Sequence, residues 1–167
     1  MLTIVTHSPR ETQEVGRSLG REAQGGDLFL LSGPLGGGKT CLTQGIAWGL
    51  GVQEYARSPT FVLINQYRGR LPLYHIDLFR IDDPTEALEL GLEEYLSSEG
   101  VCVVEWADKA ADLFPQEHLW VYLDYHGAEN QRVLRFTTQS ARWQGILDRL
   151  EVPRQGNAEE TPDVPGH

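Results

Sequence analysis

Apolar positions along the chain fall into short continuous runs separated by stretches with helical spacing, which predicts one domain built of strands and helices. The runs are rich in apolar and β-branched residues, as strands are. They read DLFLLSG (27–33), TFVLINQY (60–67), LPLYHIDLF (71–79), VCVVEW (101–106), HLWVYLDY (118–125) and RVLRFTT (132–138). RGR between the second and third runs, and HGAEN between the last two, predict turns.

A helix is predicted near the N-terminus because residues that favour a helix start precede an amphipathic stretch. Ser8 is the expected N-cap, with Pro9 at the first helical position and Glu11 at the third. Val15 and Leu19 then lie four residues apart and share one face.

Two further stretches carry apolar residues at helical spacing. KTCLTQGIAWGLG (39–51) directly follows a glycine-rich segment. DPTEALELGLEEYLSS (83–98) begins with the same Pro-x-Glu signal and then spaces Leu88, Leu92 and Leu96 four residues apart, which predicts one helix.

The predicted domain spans residues 1–150 and closes with a short helix at about 140–150. From Glu151 onward the composition shifts to Pro, Gly and acidic residues with almost no large apolar ones. Such a composition cannot bury enough apolar surface to order a chain. Residues 151–167 are therefore predicted to form a disordered acidic tail.

Charge and cysteine usage limit the function classes. The net charge is −10, and the two lysines and scattered arginines form no basic cluster, which disfavours tight nucleic-acid binding by this chain alone. No apolar run is long enough to span a membrane. The N-terminal residues lack the basic segment and the long apolar stretch of a secretory signal, so we expect none. Cys41 and Cys102 lack CxxC spacing, which is typical of reduced thiols in a cytoplasmic protein.

GPLGGGKT (33–40) matches the phosphate-binding pattern G-x-x-x-x-G-K-[ST] between an apolar strand and an amphipathic helix. Glycines let successive backbone N–H groups converge on phosphate oxygens, and the following helix adds its N-terminal dipole. Lys39 is expected to reach the β- and γ-phosphates, and Thr40 to place its hydroxyl on Mg²⁺. The predicted binding set is Gly33, Gly36, Gly37, Gly38, Lys39, Thr40 and Cys41.

Two acids follow apolar runs and are candidates for the chemistry. Asp77 in HIDLFR and Glu105 in VCVVEW could each present a carboxylate to Mg²⁺ or orient the attacking water. Either could instead cap the next helix. The sequence leaves open which acid would hold the metal. His75 shares the strand face of Asp77, and we expect it to pack or to support the site rather than to catalyse.

Two other segments have two interpretations each. Thr60 in SPTF could sense the metal or the γ-phosphate, or SPTF could simply enter a strand through a turn. DYHGAE (124–129) imitates the D-x-x-G segment of GTPases, but it lies between two predicted strands and no N-K-x-D segment occurs. A GTPase is therefore the weaker hypothesis.

The motifs and their order resemble the TsaE (YjeE) family, bacterial P-loop ATPases of tRNA threonylcarbamoyladenosine biosynthesis. The resemblance covers about residues 8–136. It rests on T-x-x-x-G in the first helix, GPLGGGKT, GLG, SPTF, HIDLFR, ELGLEEYL and VEW. It implies a P-loop NTPase-type, three-layer α/β fold whose central sheet mixes parallel and antiparallel strands.

The resemblance also implies a function. Family members bind ATP with Mg²⁺ and hydrolyse it weakly. They act with TsaB and TsaD, which transfer threonylcarbamoyl to adenosine 37 of tRNA, and hydrolysis is thought to reset that complex. The tRNA would thus be contacted through the partners, and no membrane is involved.

Site roles follow from the resemblance position by position. Lys39 and the loop backbone match the phosphate-binding groups, and Thr40 the hydroxyl on Mg²⁺. The remaining matches are Thr60 as a switch-like threonine, Asp77 and Glu105 as acids at the metal or the water, Trp106 beside Glu105, Thr12 near the base, and Arg132 near the nucleotide. Trp106 could otherwise be a core residue, a stacking surface or a partner contact.

The chain departs from the family loop G-D-L-G-x-G-K-T at one position, where Pro34 replaces the aspartate. Proline fixes one backbone angle and lacks an N–H, so we expect Pro34 to shape the loop rather than to contact phosphate. Two other functions stay open from the sequence: a small-molecule kinase, and a nucleotide-dependent switch with negligible turnover.

Overall fold

A computed structural model of the chain describes residues 1–57 and 63–150. One seven-stranded sheet forms its centre, in the order β1-β7-β6-β2-β5-β4-β3. The strands are β1 (Leu2–Thr6), β2 (Leu28–Ser32), β3 (Ile64–Arg68), β4 (Pro72–Asp77), β5 (Val101–Glu105), β6 (Leu119–Tyr125) and β7 (Arg132–Thr138). The helices are α1 (Pro9–Glu22), α2 (Lys39–Gly49), α3 (Pro84–Glu89), α4 (Leu92–Leu96) and α5 (Ala141–Asp148), with a 3₁₀ segment at Ala107–Leu113.

The sheet is parallel in its middle and antiparallel at both edges. β6, β2, β5 and β4 run parallel, whereas β1 and β7 on one side and β3 on the other pair antiparallel. Carboxyl ends of parallel strands meet at one edge of a sheet, where α/β proteins bind ligands. The sheet thus brings the end of β2 close to the ends of β4 and β5.

Helices cover both faces of the sheet and bury two apolar clusters. Side chains of β2 alternate between them: Phe29 and Leu31 pack with α1, α2 and α5, while Leu28 and Leu30 pack with α3, α4 and the 3₁₀ segment. The predicted fold class, a three-layer α/β fold with a mixed sheet, is confirmed.

Helices α1 and α2 cross with their backbones in contact, because glycines lie at the crossing. A Cβ on Gly45 would lie 2.0 Å from the carbonyl oxygen of Gln13, and one on Gly20 would lie 2.2 Å from that of Ile46. No side chain larger than hydrogen fits at either position. This close crossing fixes α2, and hence the loop before it, against the buried face of α1.

The predicted helix over 83–98 is wrong in one respect, because the structure breaks it into α3 and α4. Gly91 stands between them with φ +76°, a left-handed conformation that ends a helix. As a result Leu88 is exposed rather than sharing a buried face with Leu92. The start signal itself is right, since Asp83 caps α3 by accepting a hydrogen bond from Thr85 N–H.

The sequence patterns missed two elements. β1 is a short edge strand that pairs only with β7, and the 3₁₀ segment follows β5. Other predicted elements are present within a few residues of their predicted bounds. The beginning of the TFVLINQY run, with Thr60, and the predicted tail at 151–167 lie outside the described residues.

Candidate functional site

The GPLGGGKT segment forms the loop between β2 and α2, and its glycines meet local geometric demands. Gly33 has φ +132°, and a Cβ there would lie 1.9 Å from the carbonyl oxygen of Leu123. Gly38 caps α2 with φ +105°. Both conformations strongly favour glycine. The loop can therefore pass against β6 and turn directly into the helix.

The start of α2 supplies backbone donors. The amides of residues 39–41 precede the first intrahelical bond, which Leu42 N–H donates to Gly38 at 2.9 Å. Backbone N–H groups at a helix N-terminus and the helix dipole together favour an anion at such an end. Since Lys39, Thr40 and Cys41 also line the cavity described below, these amides belong to one concave surface.

Lys39 lies buried inside the loop that it terminates. Its Nζ donates to the carbonyl oxygens of Gly33 and Pro34, both at 2.7 Å, and lies 4.1 Å from the centre of the Trp106 ring. Burial lowers the pKa of Lys39, while the nearby carboxylates of Glu105, Asp108 and Asp77 oppose that shift. Pro34 thus contributes a backbone acceptor to the loop, and its side chain makes none of these bonds.

The outer turn of the loop is held by the β6–β7 hairpin. Tyr125 donates its hydroxyl hydrogen to the carbonyl oxygen of Leu35 at 2.7 Å. Arg132 donates from Nε to that of Gly36 at 3.2 Å, and its guanidinium stacks on the Tyr125 ring. The arginine predicted to approach the nucleotide thus contacts the phosphate loop itself.

The two predicted acids lie side by side, because the β4–β5 register pairs Asp77 with Glu105. Glu105 is buried, and α2 covers it with two hydroxyls. Thr40 donates to Oε1 at 3.1 Å. The Thr43 hydroxyl lies 3.4 Å from Oε2 and shares its one hydrogen with the nearer Lys39 carbonyl oxygen, at 2.9 Å. On the other side, Nε2 of the fully buried His75 contacts Oε2.

Asp77 has a different environment, although it is nearly as buried. Its Oδ1 accepts a hydrogen bond from Phe79 N–H at 2.9 Å, the cap-like contact that the sequence left open. Burial raises the pKa of Asp77, and the Glu105 carboxylate adds to that increase against the opposing effect of the Phe79 hydrogen bond.

These groups face one cavity of about 600 Å³ at the carboxyl ends of the parallel strands. Its walls include most residues that the sequence predicted for the site. They are Thr12, Gly36, Gly38, Lys39, Thr40, Cys41, Asp77, Glu105, Trp106 and Arg132. Gly33 and Gly37 belong to the loop behind this wall. Thr60 lies outside the described residues.

Trp106 and Thr12, two residues that the resemblance assigned to the site, have different surroundings. Trp106 has φ 58°, and it is the one non-glycine residue with positive φ among the described residues. Its ring packs on Phe79 with centres 4.9 Å apart. Thr12 is buried and shares a 2.7 Å hydrogen bond with Thr6. Trp106 lines the cavity and also packs, partly buried, against the apolar cluster that contains Leu28 and Leu30.

Sequence reasoning missed several cavity residues, notably Phe79, Arg80 and Asn130. Phe79 and Arg80 belong to the HIDLFR motif, so their proximity to Asp77 was the available signal. Lys109 donates to the carbonyl oxygens of Phe79 and Ile81 and thereby holds this segment at the cavity rim.

The oxygen atoms of Thr40, Glu105 and Asp77 are the kind of ligand that Mg²⁺ uses in phosphate-binding sites. Among the described residues no group of three or more His, Cys, Asp or Glu side chains could hold a metal. Mg²⁺ instead uses one or two carboxylates together with phosphates and water. Thr40, Glu105 and Asp77 supply such oxygens beside the phosphate loop.

The model of the family described as "Threonylcarbamoyl adenosine biosynthesis protein TsaE" matches residues 6–134, a span that includes every element of this site. The chain belongs to the TsaE family. That family functions in the biosynthesis of threonylcarbamoyladenosine in tRNA.

Individual TsaE proteins are similar over most of their length. The chain is 40% identical to the TsaE protein of Bacillus subtilis over 146 residues, 87% of this chain and 90% of the relative. It is 39% identical to that of a Nostoc species over 142 residues, 82% and 86% of the two chains. The crystal structure of Bacillus subtilis YdiB superposes with a TM-score of 0.76 at 36% identity, covering 89% of this chain and 93% of YdiB.

In residues 1–57 and 63–150, no helix combines the length and apolar character needed to cross a membrane.

Proposed function

We propose that this TsaE-family chain binds ATP with Mg²⁺ and hydrolyses it as an accessory subunit of the tRNA-modifying complex, acting with TsaB and TsaD. The observation that carries the proposal is the grouping of Lys39, Thr40 and Glu105 around one phosphate-type loop. Phosphoryl transfer depends mostly on positioning and electrostatics, and such a grouping provides both.

Binding uses the loop and its cations. The amides at the start of α2 and the Lys39 ammonium contact the β- and γ-phosphates, for which Lys39 exchanges its bonds to the Gly33 and Pro34 carbonyls. Arg132 lies on the hairpin side of the cavity, where it supports the loop and faces the nucleotide.

Hydrolysis uses the acids beneath the γ-phosphate position. Thr40 and one carboxylate would hold Mg²⁺, which would neutralise charge on the phosphates. Glu105 orients the attacking water, because its carboxylate is fixed on one side by His75 and Thr43 and faces the loop on the other. Asp77, which pairs with Glu105 on the neighbouring strand, would be the carboxylate that binds the metal beside Thr40.

A second candidate is a nucleotide-dependent switch with negligible turnover, which acts by binding alone. The burial of Glu105 and the hydroxyls of Thr40 and Thr43 that contact it favour this candidate, because they leave little room for water beside the carboxylate. In that case turnover would stay negligible even when the partners are present.

Phosphate release from ATP, measured for the full chain alone and with TsaB and TsaD, tests the proposal. We expect slow, Mg²⁺-dependent release that increases when both partners are added. Tight ATP binding without release in the presence of both partners would favour the switch. Transfer of phosphate to a small metabolite, with no response to the partners, would favour a kinase and contradict the proposal.

A further inference from the structure

His75 lies beneath Glu105 and has no contact with solvent. It sits on β4, on the same sheet face as Leu73 and Asp77, and is 0% exposed. The neighbouring β5 strand carries Glu105 on that face, two residues after Val103, which pairs with His75 in the β4–β5 register. The register therefore places the imidazole against the carboxylate from below.

The two oxygens of Glu105 have separate partners. Oε2 is contacted by His75 Nε2 and by the Thr43 hydroxyl, both of which belong to the protein interior. Oε1 faces Thr40, the hydroxyl at the end of the phosphate loop. A carboxylate held through one oxygen presents the other in a fixed direction, here toward the loop.

The second ring nitrogen of His75 makes the residue a costly choice for packing alone. Nδ1 is buried and has no hydrogen-bond partner among the described residues. An unpaired buried nitrogen is costly, and an apolar side chain would fill the same space without that cost. A carboxylate oxygen accepts and cannot donate, so the contact requires a hydrogen on Nε2 of His75, which donates to Glu105.

We propose that His75 is a positioning residue, whose Nε2–H fixes the Glu105 carboxylate so that Oε1 points at the reacting γ-phosphate region. This inference rests on the proposed function, in which Glu105 orients the attacking water. His75 touches neither nucleotide nor water and acts through Glu105. It should therefore affect turnover and leave ATP affinity nearly unchanged.

Two substitutions distinguish the hydrogen bond that the His75 ring donates to Glu105 from the space that the ring fills. His75→Gln places an amide N–H at the distance of Nε2, whereas His75→Asn ends at the distance of Nδ1 and cannot reach Glu105. Partners that orient a site residue typically contribute about 10- to 100-fold. We expect kcat to fall by that amount in His75→Asn, with partial recovery in His75→Gln and an ATP Kd within about threefold of wild type.

The measurement is ATP turnover and ATP Kd of the full chain with TsaB and TsaD, for each variant alone and combined with Glu105→Ala. If His75 acts through Glu105, His75→Asn has no further effect in the Glu105→Ala background. Leu73→Ala, on the same strand and face, is the control for loosened packing. It should lower the melting temperature while leaving the turnover of the folded protein within about twofold.

Several results would overturn the inference. They are unchanged kcat in His75→Asn, equal loss in His75→Gln and His75→Asn, an additive effect in the Glu105→Ala background, or an equal loss of turnover in Leu73→Ala. If His75→Asn does not fold, the His75→Gln comparison and its cycle with Glu105→Ala decide the question. Absence of hydrolysis by the wild-type chain with both partners would overturn the proposed function as well.

Discussion

Asp77 and Glu105 are neighbours on adjacent strands, yet their surroundings differ. Glu105 accepts a hydrogen bond from Thr40 and contacts Thr43 and His75. Asp77 accepts one from the Phe79 backbone, and its burial raises its pKa. Ionising a buried carboxylate that accepts few hydrogen bonds costs free energy. Carboxyl groups in such environments are often found at functional sites.

The raised pKa of Asp77 leads to a stability prediction. The folded chain holds this proton more tightly than the unfolded chain, so the ionised carboxylate destabilises the fold above the folded-state pKa. Asp77→Asn keeps the acceptor for Phe79 N–H and removes the charge. We expect its melting temperature at about pH 8 to exceed that of wild type by about 2–4 °C, the shift that about 1 kcal/mol gives at this size.

Melting curves from about pH 8 down to about pH 4, close to the ordinary pKa of an aspartate, check the sign of the effect and the pH range over which it is lost. They are recorded without nucleotide or divalent metal. The difference between the variant and wild type should shrink as the pH falls through the folded-state pKa, because the wild-type carboxyl becomes neutral too. A variant less stable than wild type at every pH would show that Asp77 stabilises the fold. The Asp77→Asn variant should nevertheless hydrolyse ATP more slowly than wild type.

At the scale of elements, the glycine crossing of α1 and α2 holds the phosphate loop in place. The crossing leaves no space for a methyl group at Gly45. At Gly145 on α5, by contrast, an added Cβ would meet no other described part of the chain within 4 Å, apart from its own helix backbone and chain neighbours. Both positions lie within helices, so alanine has the same gain in helix propensity at each. A difference in stability between the two variants therefore reports the packing around each position.

Gly45→Ala and Gly145→Ala should change stability in opposite directions. Overpacking at Gly45 is expected to cost about 1–3 kcal/mol, since the Gln13 carbonyl and α1 must move. Gly145→Ala should stabilise by about 0.5–1 kcal/mol, because alanine restricts the unfolded chain and clashes with nothing. Urea or thermal unfolding of both variants gives the comparison. Equal stabilisation would mean that the helices separate easily.

Elements whose signals are local were predictable from the sequence. Ser8 caps α1 as expected, accepting from Glu11 N–H at 3.1 Å, and GPLGGGKT joins a strand to a helix. The spacing of Leu88, Leu92 and Leu96 was misleading, because the left-handed Gly91 overrides a periodic pattern. β1 was missed because a short edge strand is defined by its distant partner β7.

The site was predictable in its residue types and not in its contacts. Lys39, Thr40, Asp77 and Glu105 follow from motifs. The contact between His75 and Glu105 depends on the β4–β5 register, which no local pattern specifies. The support of the loop by Tyr125 likewise comes from a hairpin distant in sequence.

At the scale of the whole molecule, an acidic protein is proposed to bind a polyanion. The net charge of −10 opposes ATP at long range, whereas Lys39, Arg80 and Arg132 line the cavity itself. Long-range repulsion between exposed charges is screened by salt, and contacts inside a cavity are screened much less. We therefore expect the affinity for ATP to depend on local geometry at the carboxyl ends of the strands more than on the net charge.

The most direct measurement compares ATP affinity and single-turnover hydrolysis of wild type, Lys39→Ala and Glu105→Ala, each with Mg²⁺, TsaB and TsaD. Losing the charge-assisted contacts of Lys39 should weaken binding by about 1.5–3 kcal/mol, which is about 10- to 150-fold in Kd. Glu105→Ala should bind ATP like wild type and hydrolyse it about 100-fold more slowly. Wild-type hydrolysis in Glu105→Ala, or unchanged ATP binding in Lys39→Ala, would contradict an ATPase site built on this loop.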